Sequence, residues 1–443
     1  MTKPRQLHLN TNITGVGRHP AGWRTLDNPR AIIDFKFFRE IATTAERGKL
    51  DAVFLSDALA LRNHAEGPQQ SFEPTVLLTA LAGATEHVGL IGTASTTFND
   101  PFNLARRFAS VDHLSGGRVA FNAVTTYDAA AAANFSFNTP LSTEERYARA
   151  QEFVDVVTKL WDSWEDDALV ADQATGRYAD PSRVHSIEHR GQYFSVRGPL
   201  NVPRSPQGRP VLVQAGSSEG GRALAARFAD AVFTAQTTLP SAQAFYKQMK
   251  ERVARHGRNP DHFLLLPGLY PVVGGTEQEA RAHKAELDAL LDTDREVARL
   301  AGALGLSPDD LHIDKPLPYE RIEKVVRSDL PRGFIDSTVA LAKAENLTVR
   351  DLLDRNPGAH RIIVGTPEQI ANDIAQWFEE RGADGFNLNA DVFPSGLAAF
   401  VDHVVPLLQR KGIFRTDYEG TTLREHYGLP RPDSQYAKRR EAA

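Results

Sequence analysis

Short apolar runs and longer runs with apolar residues at helical spacing take turns along the first half of the chain. Residues 7–13 read as a strand, residues 34–48 as an amphipathic helix that stops at Gly48, and residues 51–57 as a second strand. The cycle repeats: a helix over 73–87, a strand over 87–95, a helix that opens with Pro101 and closes on Gly116 and Gly117, and a fourth strand over 118–126. The next helix begins near Ser142, where Ser142 and Glu145 have capping-box spacing and Phe153, Val156, Val157, Leu160 and Trp164 make its apolar stripe.

Residues 165–210 interrupt this rhythm with Asp, Gly, Pro and Arg, and with a hairpin expected around Arg190 and Gly191. Alternation then resumes, with strands over 210–216, 230–235 and 263–273, and helices at 219–229 and 242–255. From Glu277 to about Asn356 the pattern is helical and polar, with a loop-like stretch over 307–321 where Pro and Asp cluster without a core of their own. A helix over 366–382, a strand over 384–390 and a helix over 395–412 close the series. Eight strands, each followed by a helix, predict an α/β fold, a (β/α)8 TIM barrel whose core takes about 250 residues. Residues 1–430 then form one barrel domain with insertions at about 165–210 and 280–355, and 431–443 form a polar C-terminal tail. A doubly wound open sheet with a second domain is the alternative.

Composition narrows the chemistry. Over 443 residues, 51 Lys and Arg against 56 Asp and Glu leave a net charge of −5, so no global basic field attracts nucleic acid or anionic lipid. The absence of cysteine removes thiolate metal sites, disulfides and Cys nucleophiles. No apolar run approaches the ~20 residues that a membrane helix needs, and the first ten residues lack a signal-peptide core, so the expected location is cytoplasmic. A small molecule is the expected partner, with no nucleic acid and no membrane.

In a barrel the chemistry sits where strands end. Those positions are 10–12, Ser56 and Asp57, 93–97, 122–126, 214–218, 234–237 and 387–391, polar but mostly uncharged. Neutral hydrogen-bonding groups suit the heterocycle and hydroxyls of a flavin better than a metal ion. The sharpest local signal is the strand that runs into Gly216, Ser217 and Ser218 at a helix start, which either binds a phosphate or simply caps the helix. G-x-G-x-x-G and the P-loop are absent, so a phosphate held here belongs to neither a dinucleotide fold nor a P-loop. His185 and His189 lie about 13 Å apart on an extended strand, too far to share an ion, so no metal is expected. Asp112, His113 and Ser115 carry the letters of a hydrolytic triad, yet they sit together at one helix stop. His8, in the first strand, is as readily a hydrogen-bonded barrel residue as a site residue.

Several segments carry a resemblance: WRTLDN near Trp23, AERGKLDAVFLSD, HLSGGRVAFNAVTT, EERYARAQEF, RGPLNVPRSPQGRPVLVQAGSS and FRTDYEGTTLREHYGL. Together they resemble the nitrilotriacetate and dibenzothiophene-sulfone monooxygenase family of the bacterial-luciferase-like flavin superfamily, over about residues 5–430. The resemblance implies a (β/α)8 barrel that uses reduced FMN as co-substrate with O2 to oxygenate a small sulfur- or nitrogen-containing substrate. It also implies a separate NAD(P)H:flavin reductase and a homo-oligomer. Carried over, Asp57, Thr93 and Asn122 would neighbour the flavin ring, while Tyr147, Gly216, Ser217 and Ser218 would hold its phosphate. Thr143 stands where relatives commonly carry a His, and His19 matches a family His loosely. The catalytic residue is left unassigned, and residues 280–355 are expected to cover the barrel mouth. A deazaflavin-dependent dehydrogenase on the same barrel and a non-catalytic flavin-binding protein are the alternatives.

Overall fold

The computed structural model describes residues 5–61, 65, 67–68, 72–137, 139–216, 218–325, 332–355 and 360–437. Eight parallel strands close a ring: β1 (His8–Ile13), β2 (Ala52–Leu55), β3 (Gly89–Ser95), β4 (Val119–Val124), β5 (Val211–Ala215), β6 (Ala231–Thr234), β7 (Leu264–Val273) and β8 (Gly385–Leu388). Each pairs with the next, and β8 returns to β1 with Asn10 opposite Asn387. The predicted barrel is therefore the observed fold, and the open-sheet alternative falls with the β8 to β1 closure.

Side chains alternate across each strand, so the ring has two apolar layers. Ala52, Phe54, Ile91, Ala120, Val211, Val213, Ala231, Leu264 and Leu266 fill the inside. The outward positions, among them Leu9, Val53, Leu90 and Phe121, pack under the helices. Pro101 opens the helix Pro101–Leu114 after the Asp100 cap, and Ser142 and Glu145 form the expected capping box of Thr143–Trp161.

Three features depart from the sequence reading. A ninth strand, Arg361–Gly365, pairs with Leu269–Val273 of β7, outside the ring. It went unread because its residues are half-buried and follow a long helical stretch. The segment between β7 and that strand does have a core of its own: Leu300, Leu304, Leu311, Leu317, Ile322 and Leu352 form a separate apolar cluster. Each short helix there contributes one or two leucines, too few to show as a stripe in any one window. Thirdly, residues 414–436 pack against the N-terminal end of the barrel. Leu423, Tyr427 and Leu429 join the inner layer, Arg431 pairs with Asp166, Ser434 donates to the Asp162 carbonyl, and Tyr436 stacks on His185 at 4.9 Å.

Within 165–210 the hairpin around Arg190 and Gly191 is present as His189–Arg190 paired with Ser195–Val196. Glu152 fixes it by accepting from the backbone N–H groups of Gln192, Tyr193 and Phe194 and pairing with His189 at 3.0 Å. A second hairpin, Leu169–Asp172 with Arg177–Ala179, precedes it. Among the described residues, no helix is long and apolar enough to cross a membrane.

Candidate active site

The C-terminal mouth of the ring is lined by inward-facing amides and hydroxyls that continue the apolar inner layer upward. On β3 and β4 the inward positions after Ile91 and Ala120 are Thr93 and Asn122, and Asn122 donates to Thr93 Oγ1 at 2.9 Å. On β1 and β8 the inward residues are asparagines: Asn10 donates to Asn387 and Asn12 to Asn389, both at 2.9 Å. The bonds consume the donors of these pairs, whereas Asn12 Oδ1 and Asn122 Oδ1 are buried acceptors without a protein partner. Buried acceptors of that kind are costly unless something donates to them, and the N–H groups of a flat heterocycle fit that need. Asp57, just beyond β2, is pushed up to about 6, first by burial and then by the neighbouring charge of Glu73.

On the β5 side the sequence-predicted phosphate residues converge. Tyr147, in the first turns of Thr143–Trp161, places its hydroxyl 2.7 Å from Ser218 Oγ. Ser218 is the N-cap of Glu219–Phe228 and accepts from Gly221 N–H at 3.3 Å. Gly220 lets the two elements touch, since a Cβ there would lie 2.4 Å from the Tyr147 ring. Gly216 turns the chain out of β5 at φ +135°, a conformation that L side chains rarely adopt. Ser217 lies outside the described residues. Thr143 accepts from Arg146 Nη2 at 3.0 Å.

Arg146 was not singled out from sequence, and Gln214 only as one of the strand-end positions 214–218. Arg146, next to Tyr147, is 6% exposed, donates to the Thr125 carbonyl and has a buried Nε without a partner. Gln214 precedes Gly216 and leaves its Oε1 buried without a donor. A guanidinium, a phenol, a hydroxyl and a helix N-terminus beside one another match a phosphate monoester. Arg146 had a usable signal, since it shares the EERY string with Tyr147.

His8 is not at the mouth: its Nδ1 meets Asp51 at 3.1 Å, and its ring stands edge-on to Tyr427 at the opposite end of the barrel. His19 is at the mouth, accepting from Ala21 N–H at Nδ1 and meeting Asp288 of the helix Glu277–Asp288 at 3.1 Å. His185 and His189 turn to different carboxylates, Glu165 and Glu152. Asp112 is spent on Val119 N–H and Gln207, and His113 on the Pro203 carbonyl, so the triad letters do not assemble.

Comparison with known proteins agrees with this fold. Residues 19–385 match the model of the luciferase-like monooxygenase family. The chain is 44% identical over 442 residues to N-acetyl-S-(2-succino)cysteine monooxygenase of Bacillus subtilis (strain 168), covering 99% of this chain and 100% of that one. It is 45% identical over 451 residues to nitrilotriacetate monooxygenase component A of Aminobacter aminovorans, covering 98% and 99%. A riboflavin lyase solved with modified FMN and riboflavin superposes with a TM-score of 0.84 at 32% identity, covering 96% of each chain. This chain belongs to the luciferase-like monooxygenase family.

Proposed function

We propose that the chain is the oxygenating half of a two-component FMN-dependent monooxygenase. Reduced FMN would come from a separate NAD(P)H:flavin reductase, which places the reaction in the cytoplasm where those nucleotides are available. Reduced FMN and O2 together supply one oxygen atom to a small organic substrate and one to water. The observation that carries this reading is the meeting of Tyr147, Ser218 and the first turn of Glu219–Phe228 at one end of a mouth otherwise lined by neutral hydrogen-bonding groups.

The protein's own part is positional. Tyr147, Ser218, Ser217, Gly216, Arg146 and Thr143 would anchor the phosphate end, while Thr93, Asn122 and Asp57 would face the ring. The unit between β7 and Arg361–Gly365 would limit water at the mouth, anchored through Asp288 on His19 and through His283, which pairs with Asp391 at 2.7 Å. A homo-oligomer is supported by Val76 and Leu114, which flank the surface groove between Pro74–Ala82 and Pro101–Leu114 and are each 67% exposed.

The test is anaerobic titration of the purified chain with reduced and oxidised FMN, followed by an assay with NADH with and without added flavin reductase. Tighter binding of reduced FMN and NADH oxidation that depends on the reductase are expected. Rapid NADH consumption by the chain alone overturns the two-component reading.

A further inference from the structure

The last residues of β1 and β2 lie side by side, Ile13 against Leu55, and both side chains belong to the outer layer under the helices. There they wall a recess together with Ile32, Phe38 of the helix Phe35–Arg47, Phe72, and Leu77 of Pro74–Ala82. Ile13, Phe38, Leu55 and Leu77 are buried, whereas Phe72, edge-on to Phe38 at 5.7 Å, is partly exposed. The recess has room for about one water-sized molecule.

Lining and position set what it can hold and where it leads. Among the described residues its one polar side chain is Ser56, whose hydroxyl donates to the Ile13 carbonyl and meets Thr14 Oγ1, both at 3.4 Å. A buried water needs several polar partners and is poorly held here, whereas a small apolar molecule gains dispersion contacts on every side. At its upper end the recess is lined by Gly15 and Ser56, each just past its strand, and Asp57, expected to face the flavin ring, follows directly. Glu73, the cap of Pro74–Ala82, is near enough for its charge to act on Asp57. The recess thus spans from the rim of the mouth to the underside of that helix. A small pocket at the seam between barrel and insertion is the contrasting case: charged side chains line it, with Asp288 paired to His19 and Lys284, and Glu296 to Arg299.

We propose that the recess under Ile13, Leu55 and Leu77 is a holding site for molecular oxygen, from which O2 enters the mouth beside Asp57. O2 is small, apolar and a feeble hydrogen-bond acceptor, so a dry apolar space of this size concentrates it relative to water. An alkyl or aryl group of a substrate is larger than the space, which therefore serves the co-substrate and leaves the mouth to the molecule oxygenated. This rests on the oxygenase reading of the same mouth, and the test separates the two.

Crystals of the flavin-free, full-length chain are pressurised with xenon, an apolar probe atom, for wild type, Leu77→Phe, Ile32→Phe and Leu77→Ala. Separately, reduced FMN bound to each protein is mixed with buffers of graded O2 concentration in a stopped-flow instrument, and its reoxidation is followed by absorbance. Expected are xenon density between Ile13, Leu55 and Leu77 in the wild type, its loss in the two filled variants and more of it in Leu77→Ala. Reoxidation should slow severalfold in the filled variants while FMN affinity stays within twofold of wild type. Unfolding midpoints are measured on every variant, and because the two fillings act from different walls, one that misfolds is set aside and the other decides. No xenon in the wild type, xenon unmoved by either filling, or reoxidation within twofold of wild type in a folded variant that has lost xenon overturns the holding site. Failure of the wild type to bind reduced FMN counts against the oxygenase reading, while the xenon experiment still decides whether the recess takes a small apolar molecule.

Discussion

Asp57 shows how the fold acts on one side chain. Its carboxyl, raised from the ordinary 3.8 to about 6, holds its proton more tightly folded than unfolded. The folded state therefore loses stability as the pH climbs from about 4 through 6. Asp57→Asn should raise the unfolding midpoint at pH 8 and leave it nearly unchanged at pH 4; an equal midpoint difference at both values would refute the assignment. For the phosphate end, Tyr147→Phe and Ser218→Ala should each weaken reduced-FMN binding by about 1–2 kcal/mol, the scale of a hydrogen bond to a charged group. Because the two hydroxyls are bonded to each other at 2.7 Å, the double variant should cost less than the sum, and unchanged affinity in both single variants would remove them from the site. Thr93, Asn122, Tyr147 and Ser218 were legible because strand ends and one motif mark them. Gln214 was marked only as one strand-end position among many; that its Oε1 is buried without a donor is visible only in the fold.

At the scale of elements, eight strands and their helices could be read because each carries its own periodicity and its own caps. The ninth strand and the insertion core could not, since they are assembled from residues scattered over some sixty positions whose burial exists only once they meet. That assembled core changes how the cover should be tested. Leu291 and Leu353 line the same small pocket, so a short Gly/Ser linker can replace the intervening residues with little added loop entropy. We expect this excision to leave the barrel folded, by circular dichroism, and to divert turnover from product to hydrogen peroxide. Unchanged coupling of product to oxygen consumed would move the water-excluding role to residues 165–210.

Across the whole molecule, the N-terminal end of the ring is closed by the end of the chain. Arg415 reaches Asp51 at 2.5 Å and the His426 carbonyl at 2.6 Å, and Tyr427 donates to Asn10 at 2.8 Å in the interior. Tyr427→Phe, which strips one buried hydrogen bond from a retained ring, should cost about 1–2 kcal/mol in denaturant unfolding. Tyr427→Ala, which also opens a cavity, should cost about 3–5 kcal/mol. Equal losses in the two variants would show that the ring contributes nothing beyond its hydroxyl. Because Asn10 keeps its bond to Asn387 in both, the mouth should keep its geometry as stability falls.

The bond between Tyr427 and Asn10 joins residues 417 positions apart, which has a consequence for how the protein is made. The first strand leaves the ribosome long before the residue that completes its surroundings, so the inner layer of the barrel stays unfinished through the synthesis of all eight strands. The ring can therefore be sealed only after residue 427 has emerged from the ribosome. A chain cut before residue 414 would carry every strand and leave the floor of the barrel open to water, because Leu423, Tyr427 and Leu429 would be missing from its inner layer.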